Sequence, residues 1–332
     1  MTIETNLSPR ERGLRALDSH RPITLFGDPT PLARADRLRQ AAGLSQTLLV
    51  KRDDVIPFGF GGNKVRKLTY QLAPLRAQGV DTVITCGGVQ SNHARATAAA
   101  AAALDFRCHL VANGARPDAL TGNALLNELL GASVEYVTER DQRTPSMERA
   151  AERFRAEGRH PAIIPLGAST PLGALGFVAA VGELLGQTEA PTVIVHAGSS
   201  GGTTAGLLAG LALHGKDTQV IGISADDPAA EVRATVHRIL VGMDQLLDTG
   251  QLLADAIERC VIDDGFVGDG YGVPSAASRD AQLLAARREG FFVDHTYTAK
   301  ALAGALAWGR ERLPAEATIL FWHTGGQVAL FA

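Results

Sequence analysis

A lysine lies inside a glycine-rich turn near the start of the chain, in the segment GFGGNKVRK at residues 59–67. Arginine supplies most of the positive charge, because the chain has only five lysines: Lys51, Lys64, Lys67, Lys216 and Lys300. Since only the primary amine of lysine forms a Schiff base with a carbonyl compound, Lys64 is a candidate for covalent catalysis. The alternative is a solvated lysine in a flexible turn.

A second candidate loop, GGVQSNH (87–93), joins a predicted strand to an alanine-rich predicted helix. Ser91 and Asn92 stand where helix caps are favoured, and simple capping is the structural alternative. The free N–H groups at a helix start, together with the helix dipole, also bind anions. The loop therefore predicts a site for a substrate carboxylate, with Ser91 and Asn92 as hydrogen-bonding side chains and His93 beside them.

A third loop, HAGSSGGTTAGLLAG (196–210), leads from a predicted strand into an apolar helix. It combines glycines that permit close backbone approach with hydroxyl side chains, namely Gly198, Ser199, Ser200, Gly201, Gly202, Thr203 and Thr204. This composition and position predict a phosphate-binding loop. The loop has neither the lysine of a Walker A motif nor GxGxxG spacing, although Asp226 and Asp227 follow where a ribose-binding acid would stand.

Two further segments carry candidate side chains near the C-terminus. Thr324 lies in FWHTGGQ (321–327) at the end of the last predicted strand, where its hydroxyl could face a ligand. Tyr297 and Thr298 lead into a predicted helix within HTYTAKAL (295–302). For each of these residues, packing within the core is the structural alternative.

Apolar, β-rich runs alternate with helical patterns along most of the chain, which predicts parallel sheets covered by helices. The predicted strands are 47–53, 82–88, 107–113, 133–138, 162–167, 192–198, 219–225, 260–266 and 318–324. They fall into two series, and the small-residue segment 167–177 is the expected crossover between them. We therefore expect an α/β fold with two open, twisted, mainly parallel sheets, helices on both faces, and a cleft between the sheets.

Composition limits the class of protein and of partner. The 332 residues are 45% hydrophobic and 20% charged with a net charge of −3, which is typical of a globular protein without nucleic-acid or membrane partners. The cysteines, Cys86, Cys108 and Cys260, are odd in number and lack CxxC pairing, which favours a reducing compartment and no metal site. The polar N-terminus lacks a signal-peptide core, so the expected location is the cytoplasm.

Taken together, a Schiff-base lysine, an anion site, a phosphate loop and a strand-end hydroxyl are the parts of a pyridoxal 5′-phosphate (PLP) site. At this point the sequence resembles a known family. The motifs GGNKVRKL, GGVQSNHARATAA, GSSGGTTAGL, YTAKALAG and HTGGQVALF occur in the order found in the D-cysteine desulfhydrase and 1-aminocyclopropane-1-carboxylate deaminase family. That family belongs to the tryptophan-synthase-β-like, fold type II PLP enzymes, and the resemblance runs from about residue 20 to the C-terminus.

The resemblance implies a role for each matching position. Lys64 would carry the cofactor and act as the base at Cα, while Ser91 and Tyr297 would complete the catalytic set. Asn92 would bind the phenolic oxygen of PLP, and Thr324 would face its pyridine nitrogen. The phosphate would be held by Gly198, Ser199, Ser200, Gly201, Gly202 and Thr203, and the substrate by Ser91, Asn92, His93 and Tyr297.

The family likeness also implies the wider organisation of the molecule. We expect a large PLP-binding domain formed by residues 1–62 and 176–332, with a small domain of residues 63–175 inserted in it. PLP would lie in the cleft between the two domains. The family further suggests a homodimer that acts on a small amino acid.

The expected reaction is α,β-elimination, most directly of D-cysteine to pyruvate, sulfide and ammonia. Cyclopropane deaminases of the family carry Tyr-Glu in place of Tyr297-Thr298 and Gln in place of His93, so both positions favour a desulfhydrase. L-cysteate sulfo-lyase, which shares much of the motif pattern, and 1-aminocyclopropane-1-carboxylate deaminase remain alternatives. His295-Thr296 replaces the Pro-Val usual in the family before the tyrosine, which could alter the position of Tyr297 and hence the substrate. Two alternatives from outside the PLP-dependent enzymes are a nicotinamide-dependent oxidoreductase and a non-catalytic small-molecule binding module.

Overall fold

A computed structural model describes residues 7–332, which form ten strands and thirteen α-helices joined by loops and short 3-10 turns. The strands are β1 (Leu32–Arg34), β2 (Thr47–Arg52), β3 (Thr82–Gly88), β4 (Arg107–Asn113), β5 (Ser133–Val137), β6 (Pro161–Ile163), β7 (Val193–Gly198), β8 (Gln219–Ser224), β9 (Cys260–Asp263) and β10 (Thr318–His323). The helices are α1 (Pro9–Ser19), α2 (Asp36–Ala41), α3 (Asn63–Gln71), α4 (Ala73–Ala77), α5 (Asn92–Ala103), α6 (Gly122–Leu129), α7 (Arg143–Ala156), α8 (Pro171–Leu185), α9 (Gly202–Leu213), α10 (Ala229–Leu247), α11 (Leu252–Asp255), α12 (Ala276–Glu289) and α13 (Thr298–Glu311).

The strands form two sheets. The six-stranded sheet has the order β1-β2-β10-β7-β8-β9, and the four-stranded sheet has the order β5-β4-β3-β6. Every pair of neighbouring strands is parallel except β1 and β2, which are antiparallel. The prediction of two mainly parallel sheets is therefore confirmed.

Alternate residues of the large sheet pack on opposite helical layers, because successive side chains of a strand point to opposite faces. Ile194 belongs to the core shared with α8, α9 and α10, whereas Val193 and Val195 belong to the core shared with α12 and α13. In the small sheet, Val83 packs on the α5 side and Ile84 on the α7 side. Helices thus cover both faces of each sheet, as expected.

The apolar stretch from residue 191 to residue 215 forms β7, the loop after it, and α9, as predicted. Every residue of β7 and every residue of α9 is buried. This complete burial explains the absence of a polar face in the sequence, because both elements are covered on all sides. Within residues 7–332, no helix combines the length and the apolar character needed to cross a membrane.

The expected crossover at 167–177 lies in the connection from β6 of the small sheet to β7 of the large sheet, as predicted. Most of this segment is helical, since α8 begins at Pro171 with the Thr170 side chain accepting from the Gly173 N–H at 2.9 Å. The segment that follows Lys64 forms two helices, α3 and α4, with Pro74 in the first turn of the second. Strand β1 was not predicted, since three residues are too few to show a periodicity.

All strands of the small sheet lie between β2 and β7 in the sequence, while β2 itself pairs with β10 of the large sheet. We therefore propose the domain division expected above, with residues 63–175 inserted into a domain of residues 1–62 and 176–332. The three cysteines carry free, buried thiols. No group of three or more His, Cys, Asp or Glu residues suited to a metal ion occurs in the part of the chain from Leu7 onward.

Candidate active site

Two glycine turns meet at the carboxyl end of the large sheet. Gly62 and Gly325 have φ angles of +98° and +90°, which favour glycine, and a Cβ on Gly62 would lie 2.9 Å from the carbonyl oxygen of Thr324. The Asn63 N–H donates to that same oxygen at 3.0 Å. The contact brings the start of α3, and with it Lys64, against the end of β10.

The half-buried Lys64 side chain lines the cavity among polar groups. Its Nζ donates to Asn63 Oδ1 at 3.0 Å, and the Asn63 Nδ2 group in turn donates to Thr203 Oγ1 at 3.0 Å. Burial, with a smaller contribution from the charge of Arg95, lowers the pKa of Lys64 to about 8, while Asp294 opposes the shift. A much larger share of this amine is neutral and nucleophilic near neutral pH than in an ordinary lysine.

The loop between β7 and α9 faces a second buried lysine. Lys67 Nζ donates to the Gly167 carbonyl at 3.1 Å and to Ser169 Oγ at 3.0 Å. Ser169 Oγ lies 2.7 Å from Ser200 Oγ, within the loop that was predicted to bind phosphate. Burial and then the charge of Lys64 place the pKa of Lys67 well below its usual value, so a bound anion would supply the missing counter-charge.

Helix α5 presents its N-terminus to the same cavity. Ser91 is the N-cap, as predicted, and its Oγ accepts from the Ala94 N–H at 3.2 Å. Asn92 is the first residue of the helix, and its Oδ1 accepts from Asn123 Nδ2 at 2.9 Å. Because Asn123 occupies the oxygen of the Asn92 amide, Nδ2 is the atom with which Asn92 can donate to a ligand.

His93 is a neutral imidazole that donates one hydrogen bond in this arrangement. The Thr85 hydroxyl donates to the Ile164 carbonyl at 2.7 Å and therefore accepts from His93 Nε2 at 2.8 Å. Its other nitrogen, Nδ1, is buried without a hydrogen-bond partner among residues 7–332. Burial, with the charges of Lys64 and Lys67, lowers the pKa of His93 far below its usual value.

Two tyrosines form one wall of the cavity. The hydroxyls of Tyr271 and Tyr297 lie 2.7 Å apart, and the rings pack edge to face with centroids 5.7 Å apart. The Asp294 carboxylate accepts from the backbone N–H groups of Thr296, Tyr297 and Thr298, which fixes Tyr297 at the start of α13. Burial and Tyr271 raise the pKa of Tyr297 well above its usual value, so it is a phenol at neutral pH.

The mouth of the cavity is charged. Arg140, after β5, forms a salt bridge with Asp226, after β8, and its Cζ lies 5.5 Å from the centre of the Tyr271 ring. Asp226 is thus engaged by an arginine, and this differs from the ribose-binding role expected for it in a nicotinamide enzyme. Arg143 lies beside this pair and donates from Nε to the Arg140 carbonyl at 2.9 Å.

Eleven of the twelve predicted site residues line the same cavity, and Gly202 begins helix α9 next to it. The eleven are Lys64, Ser91, Asn92, His93, Gly198, Ser199, Ser200, Gly201, Thr203, Tyr297 and Thr324. His295 and Thr296 line a neighbouring cavity, which Tyr271 and Tyr297 also line. The residue-based prediction did not include Asn63, Lys67, Arg140, Arg143, His196 or Tyr271, which also line the main cavity.

A signal for Lys67 was present in the sequence. Residues three apart lie on the same face of a helix, so a helix over this segment places Lys64 and Lys67 side by side. Tyr271 lies in the glycine-rich segment GDGYGVP (268–274). This composition indicates a loop, but it does not show that the loop lines the cavity.

Comparison with known proteins agrees with this geometry. Residues 23–325 match the family described as pyridoxal-phosphate dependent enzyme. The chain is 37% identical over 320 residues to D-cysteine desulfhydrases of Salmonella typhi and Salmonella newport, covering 93% of this chain and 95% of each relative.

Solved structures of related enzymes are also similar to this chain. An ACC deaminase homologue superposes with a TM-score of 0.85 at 32% identity, covering 96% of both chains. Threonine deaminase isoform 2 from Solanum lycopersicum shares the fold, with a TM-score of 0.70 at 18% identity over 96% of this chain and 84% of that one. The chain therefore belongs to the pyridoxal-phosphate dependent enzymes of fold type II, in the family that contains D-cysteine desulfhydrase and the ACC deaminase homologue.

Proposed function

We propose that this enzyme is a PLP-dependent lyase that converts D-cysteine and water to pyruvate, hydrogen sulfide and ammonia. The observation that carries the proposal is the joint position of Lys64 and Lys67. Lys64 places its amine at the cavity, and Lys67 places a buried amine against the Ser169–Ser200 pair of the phosphate loop. The desulfhydrases similar to this chain support D-cysteine as the substrate.

The residues present fit the cofactor. Lys67 is a fully buried lysine whose hydrogen bonds go to neutral oxygens, and a phosphate beside residues 199–203 would stabilise its protonated, charged form. Asn92 would donate Nδ2 to the phenolic oxygen, and Thr324 would offer its hydroxyl to the ring nitrogen. When bound to Lys64, PLP supplies an electron sink for the pair of electrons left at Cα.

The chain's own groups account for the remaining chemistry. The N-terminus of α5 and the Ser91 hydroxyl would bind the substrate carboxylate, which holds Cα close to Lys64. The Lys64 amine would take the Cα proton, and the Cβ–S bond would then break, with its electron pair leaving on sulfur as hydrosulfide. Hydrolysis of the released three-carbon enamine gives pyruvate and ammonia, which balances the equation.

Tyr297 is placed to assist departure of the sulfur. Its raised pKa keeps the phenol protonated at neutral pH, so it would donate a hydrogen bond to the leaving sulfur. Tyr271 holds the orientation of Tyr297 through the 2.7 Å contact between their hydroxyls.

A direct assay tests the substrate. Purified enzyme supplied with PLP is incubated separately with D-cysteine, L-cysteine, L-cysteate and 1-aminocyclopropane-1-carboxylate, and pyruvate, sulfide and sulfite are measured in each. We expect pyruvate and sulfide in equal amounts from D-cysteine, with a higher kcat/KM than for the other three compounds. Turnover of 1-aminocyclopropane-1-carboxylate alone would contradict the proposal.

Arg143 favours L-cysteate as a second candidate substrate. Its guanidinium lines the cavity and forms no salt bridge with a carboxylate among residues 7–332, so it could bind the sulfonate of cysteate. In that case the assay would yield sulfite with pyruvate, and Arg143→Gln would raise KM for cysteate more than KM for D-cysteine.

We also infer a homodimer, from the family resemblance, and a cytoplasmic location, which three free, buried thiols fit well. Light scattering of the holoenzyme gives its molecular mass, which tests whether the enzyme is a dimer. A mass near that of one chain would overturn the dimer.

The Lys67→Gln variant tests the phosphate contact. We expect its affinity for PLP to fall about 10- to 100-fold, because a hydrogen bond between charged groups contributes roughly 1.5–3 kcal/mol. The measurement is a titration of apoenzyme with PLP, with Lys216→Ala, outside the cavity, as the matched control. Equal affinity of Lys67→Gln and wild type would show that the phosphate binds elsewhere.

A further inference from the structure

Lys300 is a buried lysine that the chemistry above does not use. Its side chain belongs to α13 and the residue is 1% exposed. Its Nζ donates to three backbone carbonyls, those of Val267 at 2.7 Å, Gly270 at 2.8 Å and Ala225 at 3.5 Å. The salt bridges formed within residues 7–332 do not include Lys300, so its hydrogen bonds go to neutral oxygens alone.

These three carbonyls belong to the two loops that form one side of the cavity mouth. Ala225 directly precedes Asp226, the partner of Arg140. Val267 and Gly270 lie in the loop after β9, and Gly270 directly precedes Tyr271. A single ammonium group therefore joins the loop that carries Asp226 to the loop that carries Tyr271.

The donor set explains why a lysine stands here in a chain whose positive charge is mostly arginine. Three carbonyl oxygens that converge on one point suit a compact cation with donors in several directions, whereas the planar fork of arginine does not fit them. Convergent backbone carbonyls are also the ligands that bind K⁺ in proteins. The Lys300 ammonium thus occupies the kind of site in which other proteins hold a monovalent cation.

We propose that Lys300 is a positioning residue that acts as an internal cation. It fastens the 225–227 and 265–272 loops to α13, which sets the position of Tyr271 and, through the hydroxyl contact, that of Tyr297. The effect on turnover rests on the proposed function, because it requires Tyr297 to act at the substrate. The effect on the loops does not depend on that function.

The test compares Lys300→Ala, which leaves space for a cation, with Lys300→Met, which fills that space without a charge. Amide hydrogen exchange over residues 265–272 is measured in the apoprotein, with K⁺ or methylammonium and, at equal ionic strength, with bulky tetramethylammonium. Lys216→Ala is the control. The kcat and KM for elimination are then measured with PLP under the same conditions.

We expect exchange in this loop to accelerate about tenfold or more in both variants, because the bonds to a charged donor are lost. K⁺ or methylammonium should reverse the change in Lys300→Ala and not in Lys300→Met. The value of kcat should fall by up to about 100-fold, as for a misplaced catalytic group, and recover with the same cations.

Unchanged exchange in Lys300→Ala, or faster exchange that no small cation reverses, would overturn the proposal. An equal response of both variants to K⁺ would do the same, since it would reveal a general salt effect. If Lys300→Ala does not fold in the absence of K⁺, folding on addition of K⁺ but not tetramethylammonium supports the proposal, and failure in both overturns it. Wild-type enzyme without activity on D-cysteine would remove the proposed function and leave the exchange result standing.

Discussion

The Lys64→Ala enzyme will bind PLP without a covalent bond, and its kcat for elimination will fall by about 100- to 10,000-fold from the loss of the general base alone. The physical reason is the position of this amine, which lines the cavity, has a pKa lowered to about 8, and lies at the contact of the two glycine turns. Absorbance spectra with PLP and a pyruvate assay measure both effects.

The matched control for this prediction is Lys216→Ala, a lysine outside the cavity, which should retain wild-type kinetics. Methylamine added to Lys64→Ala should restore part of the activity, because the truncated side chain leaves space for a small amine. Full activity of Lys64→Ala without added amine would contradict the assignment.

The largest expected effect on stability lies beneath the site, in a buried charge network next to α3. Arg66 donates to Asp53 Oδ1 at 2.8 Å, to Asp53 Oδ2 at 2.9 Å and to Glu183 Oε2 at 2.8 Å. Trp322 Nε1 donates to Asp53 Oδ2 at 2.7 Å, which ties the network to β10. Asp53 is 0% and Arg66 4% exposed, so neither charge can be solvated if its partner is removed.

We therefore expect Asp53→Ala to lower the free energy of unfolding by about 3–5 kcal/mol, the usual cost of breaking a buried ion pair. Glu183 still pairs with Arg66, but two of the hydrogen bonds of Arg66 and the acceptor of Trp322 Nε1 are lost. Because Arg66 is two residues from Lys64, the affinity for PLP should fall as well. Urea unfolding of the apoprotein gives the first quantity and PLP titration the second.

The exposed pair formed by Arg34 and Asp36 is the matched control, since its side chains are 61% and 52% exposed. Arg34→Ala should change the free energy of unfolding by less than about 1 kcal/mol. A similar loss in Asp53→Ala and Arg34→Ala would contradict a structural role for the buried network.

The loops that line the cavity could be recognised in the sequence because their signals are local. Glycines, hydroxyl side chains and a helix start are recognisable within ten residues, as in the loop that contains Ser199 and Thr203. The strands of the sheets could be predicted for the same reason, since periodicity and burial both appear in the local pattern.

Contacts between loops of different sheets could not be predicted in this way. Arg140 and Asp226 are far apart in the sequence, and Asn123 reaches Asn92 from another helix. The first pair depends on how the two sheets are placed relative to each other, and the second depends on the packing of α6 beside α5. No local pattern encodes either arrangement. The carbonyl groups that accept from Lys300 could not be predicted from the sequence either, because every residue has a backbone carbonyl and residue type does not mark which ones accept.

The central claim is that Lys64 forms the covalent bond with PLP. Reduction of the holoenzyme with borohydride, which makes a Schiff base permanent, followed by digestion and fragmentation mass spectrometry, tests this claim most directly. We predict that the phosphopyridoxyl group will be found on Lys64. Its presence on Lys67 instead, or the absence of any labelled peptide from enzyme loaded with PLP, would contradict the account.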